Sequence, residues 1–212
     1  MSDVAEAAPR RRLSEADRDR LLRAAAHGIF LRDGYTAARM DDVAHAAGMS
    51  KRTLYQHYAS KALLFEAVMQ DSLCPLGIDP AAEAEPDLAT ALRAMLVSLA
   101  RHLFEPQQVA IFRLIIAEVR RAPELADAFH RAGPGRGASS IERRLAAEID
   151  SGQLRLADAH QAARMLFGAA IGAAHMFLLL GLNGPPSEAE IERLAGEAVE
   201  IFLRGALTDR AG

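Results

Sequence analysis

The chain has 212 residues, half of them apolar, a quarter charged and 5% aromatic, with a formal net charge of −3. That length can build one or two domains with a substantial core, and the chain is too apolar and too weakly charged for intrinsic disorder. A single cysteine excludes an intramolecular disulfide scaffold and favours a reducing, cytoplasmic setting.

The first residues, MSDVAEAAPRRR, lack the apolar core of a signal peptide. They read as a disordered basic arm over 1–13 that can add a phosphate or minor-groove contact. Charge is uneven beyond it. Residues 10–61 hold 11 Lys/Arg against 6 Asp/Glu, whereas 62–212 hold 14 against 20. Both lysines, Lys51 and Lys61, lie in the basic segment, which points to a polyanionic partner for that part alone.

Helical periodicity runs along the chain, and no stretch alternates apolar and polar over strand length. The expected fold is all-α. Leu21, Leu22, Ala25, Ile29 and Phe30 form one stripe, with Ser14 and Asp17 as a cap and Gly34 as a stop. Short helices come next, from about Arg39 to Ala47 and from Lys51 to Tyr58. Ser60 caps a helix whose apolar face is Leu63, Leu64, Ala67 and Val68. The proline-rich stretch Cys74 to Pro86 reads as a linker. Further helices are expected over Asp87–Phe104, Gln107–Arg121, from Pro123 to a break at Gly133-Pro134-Gly135, and from Ala138 to Ser151. Asp158 then caps a helix reaching Leu180, and the box Ser187-Glu188-Ala189-Glu190 opens a last one to about Arg204. The run Met165 to Leu182 contains His175 and falls just short of the ~20 residues a spanning helix needs. It reads as a buried helix, with no membrane partner.

The stretch Met40 to Tyr58, MDDVAHAAGMSKRTLYQHY, carries the chemistry. Met40, Val43, Ala44 and Ala47 share one face, Gly48 permits a sharp turn, Met49 plugs inward and Ser50 caps the next helix. At about 100° per residue, Leu54 and Tyr58 fall within about 40° of one another and form the inner face. Arg52 and Gln56 lie opposite, beside Thr53, with Lys51, Tyr55 and His57 at the flanks. Arginine can pair with guanine, glutamine with adenine and a threonine methyl with thymine, while the flanking groups suit phosphate oxygens. A solvated helix face is the plainer alternative, against which Tyr55, an aromatic among cations, speaks.

These residues, with Gly34-Tyr35 before them and Ser60-Lys61 after them, resemble the N-terminal domain of TetR-family transcriptional regulators over about residues 14 to 66. The resemblance implies a DNA-binding domain over 14–60, a helical ligand-binding and dimerisation domain over 61–212, and repression relieved by a small organic effector. By match, Lys51, Arg52, Thr53, Tyr55 and His57 belong to the recognition helix and Lys61 approaches phosphate. Arg39 stands where the family usually has a Ser or Thr cap, and offers a charge to phosphate instead. Arg52 stands where glycine is common, which alters the expected base preference.

Residues 107 to 135 resemble the C-terminal domain of the AefR-like subgroup. From the residues themselves, Val109, Ile111, Phe112, Leu114, Ile115, Ile116 and Val119 point round a whole helix, so the helix is expected to be central and buried. Arg113 and Glu118 then need partners. Arg113, with His175, could orient a ligand in a cavity near Phe112 and Ile116, or Arg113 could form a buried or interfacial ion pair. His102, Phe129, Met176 and Phe177 read as core. No Cys/His cluster, phosphate loop or nucleophile–base pair points to a metal, a cofactor or catalysis.

One helix-turn-helix reads few base pairs, so a homodimer on a palindromic duplex is expected. Its surface is placed on the two last long helices. Gly168, Ala169, Gly172 and Ala173 form a stripe of small residues bordered by Phe167 and Ile171, with Leu194 and Ile201 on the final helix. An all-helical scaffold whose basic face binds an acidic protein is the alternative from another class.

Overall fold

The computed structural model describes residues 13–73, 80–132 and 134–206. The expected basic arm lies outside the described residues, apart from Leu13. Among the described residues there are α-helices and no β-strand.

The N-terminal half holds α1 (Glu15–Asp33), α2 (Met40–Ala46), α3 (Lys51–His57) and α4 (Lys61–Leu73). Ser14 caps α1 by accepting from the Asp17 amide at 3.0 Å. Gly34 ends it at φ +82°, in the left-handed region that glycine tolerates best. Leu22, Ala26, Ile29 and Phe30 pack inward from α1 onto Val43, Leu54, Leu64 and Phe65. Phe65 meets Phe30 and Tyr35 edge-on, with ring centroids 5.4 and 5.1 Å away. Such edge-to-face contacts add to the apolar burial.

The helix α4 belongs to both halves. It packs on α1 and on α8 (Glu124–Ala132), and one buried apolar core runs through the molecule. The other helices are α5 (Pro80–Glu83), α6 (Leu88–Leu103), α7 (Pro106–Glu118), α9 (Pro134–Asp150), α10 (Ala159–Phe167), α11 (Ala173–Leu179) and α12 (Glu188–Ala206). Residues 74–79 of the expected linker lie outside the described residues, and the rest is not a loose tether. It contains α5, and Arg144 of α9 donates to the carbonyls of Glu85 and Pro86 at 2.6 and 3.0 Å while pairing with Glu148. The break expected at 133–135 is also shorter than expected, because α9 starts at Pro134 itself, where the fixed φ of proline suits a first helical turn.

Two expectations about the C-terminal helices fail. First, α7 is not central. Ile111 and Ile115 are buried, but Ile116 is 59% exposed and Arg113 is exposed. Second, the helix through 159–179 is not uniformly buried, nor regular. Gly168–Gly172 forms a π-helical turn. Within it Ala170 and Ile171 reach the core while Gly168 and Ala169 are exposed, and its wider turn shifts the register of the residues that follow, with Ala173 outward. The helix is long and apolar enough by composition to cross a membrane, and 33% of its apolar window is buried. Leu166 and Ile171 fix one side of it in the core, while Met165, Met176, Phe177 and Leu180 are exposed on the other.

Candidate nucleic-acid interface and its supports

The turn between α2 and α3 is closed by local bonds. Gly48 adopts φ +66°, its amide donates to the His45 carbonyl at 2.9 Å, and Met49 donates to Ala44 at 2.9 Å. The Ser50 hydroxyl accepts from the Thr53 amide at 3.1 Å, which starts α3. No side chain caps α2, consistent with Arg39 in place of a capping residue, and the Arg39 side chain is exposed.

Seated this way, α3 buries Leu54 and Tyr58 and presents Lys51, Arg52, Tyr55 and Gln56 outward, with Thr53 and His57 half-buried. The expected division of the helix is the one found. Thr53 also bonds through its hydroxyl to Ser50 at 2.8 Å, so reading a base would draw mainly on its methyl group. Lys51 pairs with Asp41 at 2.8 Å, and both groups are more than half exposed. Such a pair is weak and exchanges readily for phosphate. The far end of α3 is tied down by Tyr58, whose hydroxyl donates to Asp19 and accepts from Arg23 Nε at 2.8 Å. Burial, with Asp19 beside it, pushes the Tyr58 phenol up to about 12, so it stays protonated and remains a donor at neutral pH.

The Lys61 ammonium is engaged within the protein. Its ammonium donates to the carbonyls of Tyr35, Thr36 and Ala38 at 2.7, 3.2 and 3.0 Å and lies 4.6 Å from the centre of the Tyr35 ring. The turn that feeds α2 needs a donor for these carbonyls, and Lys61 supplies it.

The same turn is held from the other half of the molecule. Glu118, at the end of α7, accepts from the Thr36 amide at 2.5 Å and from the Tyr35 amide. The positive φ favours glycine at position 34, and a Cβ there would also push the Glu118 carboxylate off the turn. Glu124 accepts from the Tyr35 hydroxyl at 3.1 Å, and Arg131 clasps Glu66 of α4 with bonds of 3.0 and 2.6 Å. Burial alone would raise the Glu118 carboxyl, but the bonds from Thr36 and Tyr35 and the nearby Lys61 outweigh it and hold the group below the usual carboxylate range. The sequence showed only that Glu118 needed a partner; a backbone amide has no sequence signature.

The residues expected to line a cavity divide. Phe112 and His175 meet edge-on at 4.7 Å, with Phe129 5.0 Å from Phe112 and Phe104 6.0 Å from His175. His175 Nε2 is buried without a partner, and burial lowers the imidazole pKa, so the ring is neutral. Arg113 turns away and donates to the carbonyls of Leu178 and Leu179 at 2.6 and 3.0 Å, capping the end of α11. Two of its donors are thus committed to backbone carbonyls, and it is not a member of a buried ion pair. Ile116 is on the outer surface.

Of the expected dimer surface, Gly168 and Ile201 are exposed, Phe167, Gly172 and Leu194 are half-buried, and Ile171 is 1% exposed within the monomer core. Ile171 therefore does not belong to that surface. Met176 and Phe177, read from the sequence as core, face outward.

Residues 22–68 match the model for bacterial regulatory proteins of the tetR family, and residues 90–205 match that for the C-terminal domain of AefR-like transcriptional repressors. The chain belongs to the TetR family of transcriptional regulators. The helix-turn-helix described above is therefore the DNA-binding module of this family. The HTH-type transcriptional activator FasR of Mycolicibacterium smegmatis is 38% identical over 109 residues, 44% of this chain and 50% of that protein. The chain spans about half the length of the curated relatives it matches. Among solved structures, the flavonoid-responsive regulator FrrA is 28% identical with a TM-score of 0.81, covering 92% of this chain and 100% of that one. A TetR regulator from Agrobacterium tumefaciens is 26% identical with a TM-score of 0.74, covering 93% and 97%.

The supports of this TetR-family module can be tested one at a time. Lys61→Met should lower the urea midpoint while leaving the salt dependence of DNA binding at its wild-type slope, because the lost bonds are internal. For Glu118, the folded-state pKa is depressed, so its contribution is full at neutral pH and is lost as pH falls through that pKa. Glu118→Gln should cost about 1–2 kcal/mol at neutral pH, and the gap to wild type in urea titrations should close as the solution is acidified below the ordinary carboxylate range.

Proposed function

We propose that this protein is a sequence-specific repressor that binds a palindromic operator in cytoplasmic double-stranded DNA as a homodimer and is released by a small organic effector. The outward face of α3 carries the reading. Arg52, Tyr55 and Gln56 are exposed, on a helix whose other side is locked into the core. The likeness of the C-terminal half to a repressor domain supports the sign of regulation. Loss of the gene should then raise transcription from an operator-bearing promoter, and a fall would make the protein an activator, as FasR is.

The effector site is the ring cluster of Phe104, Phe112, Phe129 and His175. Its unsatisfied buried group, His175 Nε2, suits a ligand with an aromatic body and a single polar substituent. The flavonoid response in FrrA's name supports that chemistry. Glu118 and Glu124 offer the path outward, since any shift of α7 or α8 pulls on the turn before α2.

The homodimer covers the outward apolar face. Met165, Met176, Phe177, Leu180 and Leu182 are between 45% and 67% exposed, and Ile201 is 74% exposed. The small residues Gly168, Ala169, Gly172 and Ala173 among them let a partner helix come close. Two copies joined there would present two recognition helices together.

Arg52→Ala should relax base preference at one or two positions, costing about 1–3 kcal/mol on the preferred duplex only. Lys51→Ala should instead weaken binding to every duplex and reduce the log–log salt slope by about 0.9. Equal losses on all sequences for both variants would end the division into base reader and phosphate contact. Gly172→Arg meets open space in the monomer, so it should fold, sediment as a monomer at micromolar concentration and lose operator binding. A folded dimer in that variant would place the interface elsewhere.

A further inference from the structure

A cleft lined by none of the four rings of the effector cluster and by no residue of α3 opens where the two halves of the molecule meet. It has a volume of about 430 Å³ and is walled by α1, the end of α4 and the connection from α6 to α7. That volume suits a small organic molecule. The groups around the cleft that already have partners, and those that do not, determine the chemistry such a molecule must bring.

The donors are mostly occupied. Arg23 gives Nε to the Tyr58 hydroxyl at 2.8 Å, one terminal nitrogen to Asp71 at 2.8 Å and the other to Asp19 at 2.7 Å. The Gln107 amide meets His27 Nε2 at 3.0 Å, and burial holds His27 below its ordinary pKa, so it adds no positive charge. Gln108 donates its amide to the Ser72 carbonyl at 2.7 Å. Arg20 is 78% exposed at the rim and already lies against Asp17.

The acceptors are not. Gln108 is 3% exposed, yet its Oε1 is buried with no partner, and buried His102 leaves Nε2 in the same state. Nδ1 of His102 lies 3.7 Å from Glu105, which favours the tautomer that leaves Nε2 as an acceptor. The Glu105 carboxylate makes no closer ion pair, and Asp71 meets Arg23 through Oδ1. Native proteins rarely leave buried polar atoms unpaired, and two among the residues of one cleft call for an explanation. Ala24 and Val68 supply an apolar wall between these groups.

We propose that this cleft binds a small organic amine, with its ammonium on Glu105 and Asp71 and its apolar body against Ala24 and Val68. Gln108 Oε1 and His102 Nε2 are closed to solvent, and they complete the ammonium's set of acceptors as those side chains turn toward it. An acid or a neutral alcohol meets the same acceptors with too few donors or with the wrong charge. The site is separate from the effector site in the ring cluster and stands or falls independently of it.

The test is calorimetric titration of the full chain with phenethylamine and with 1,4-diaminobutane, beside phenylacetate and phenylethanol. At least one amine should bind with one site per chain, and the acid should not. Glu105→Gln and Asp71→Asn should each weaken the amine by about five- to tenfold. Glu197→Gln, which removes an equal charge at an exposed position of α12, should titrate as wild type. Failure of both amines to bind, binding of phenylacetate as tight as that of phenethylamine, or wild-type titrations in both carboxylate variants would each overturn the proposal.

Discussion

Glu118 reaches from the end of α7 to the backbone of Tyr35 and Thr36, and this bond ties the turn that feeds the helix-turn-helix to the C-terminal half. The turn over 34–38 must leave α1, pass beneath a carboxylate from the other half and enter α2 within a few residues. Three demands coincide there. Gly34 suits its positive φ, and a side chain there would displace the Glu118 carboxylate. The carbonyls of the turn need a donor, which Lys61 provides, and Tyr35 must be anchored, which Phe65 and Glu124 accomplish. A charged hydrogen bond to backbone amides is directional, so these contacts join α7 and α8 to the turn that feeds α2.

The N-terminal half was legible because its signals are local. Gly48, Ser50 and the spacing of Leu54 and Tyr58 determine the turn, the cap and the inner face within twenty residues of sequence, and the structure has each in that role. The internal bonds of Lys61 were not legible for the same reason. Its partners lie some 25 residues back, as carbonyl oxygens that every residue possesses, so it reads in sequence as a surface cation, the commoner role. Glu118 and Arg113 met the same difficulty. Both sit on an apolar helix and both needed partners, and both found backbone groups on distant elements, namely the 34–38 turn and the end of α11.

The C-terminal half was legible as helices, but less so as faces. Counting at 3.6 residues per turn put Ile171 on the outer stripe, and residue type alone put Phe177 in the core. The π-turn at Gly168–Gly172 shifts the register, and the two residues exchange places. Nothing in GAAIG announces that turn beforehand. The consequence for function is direct, since the outward set becomes Met165, Met176, Phe177 and Leu180, a broader apolar face than the small-residue stripe alone. A face of that kind on a helix half-embedded in the core is suited to a second copy of the same surface.

If α3 reads bases in pairs, through a symmetric dimer, the operator must carry the same two-fold symmetry. Selection of bound duplexes from a random library tests this most directly. One inverted repeat should be enriched, with half-site centres about one helical turn, ~34–36 Å, or a multiple of it apart. Recovery of an unenriched pool, or of a single half-site with no inverted copy, would contradict it.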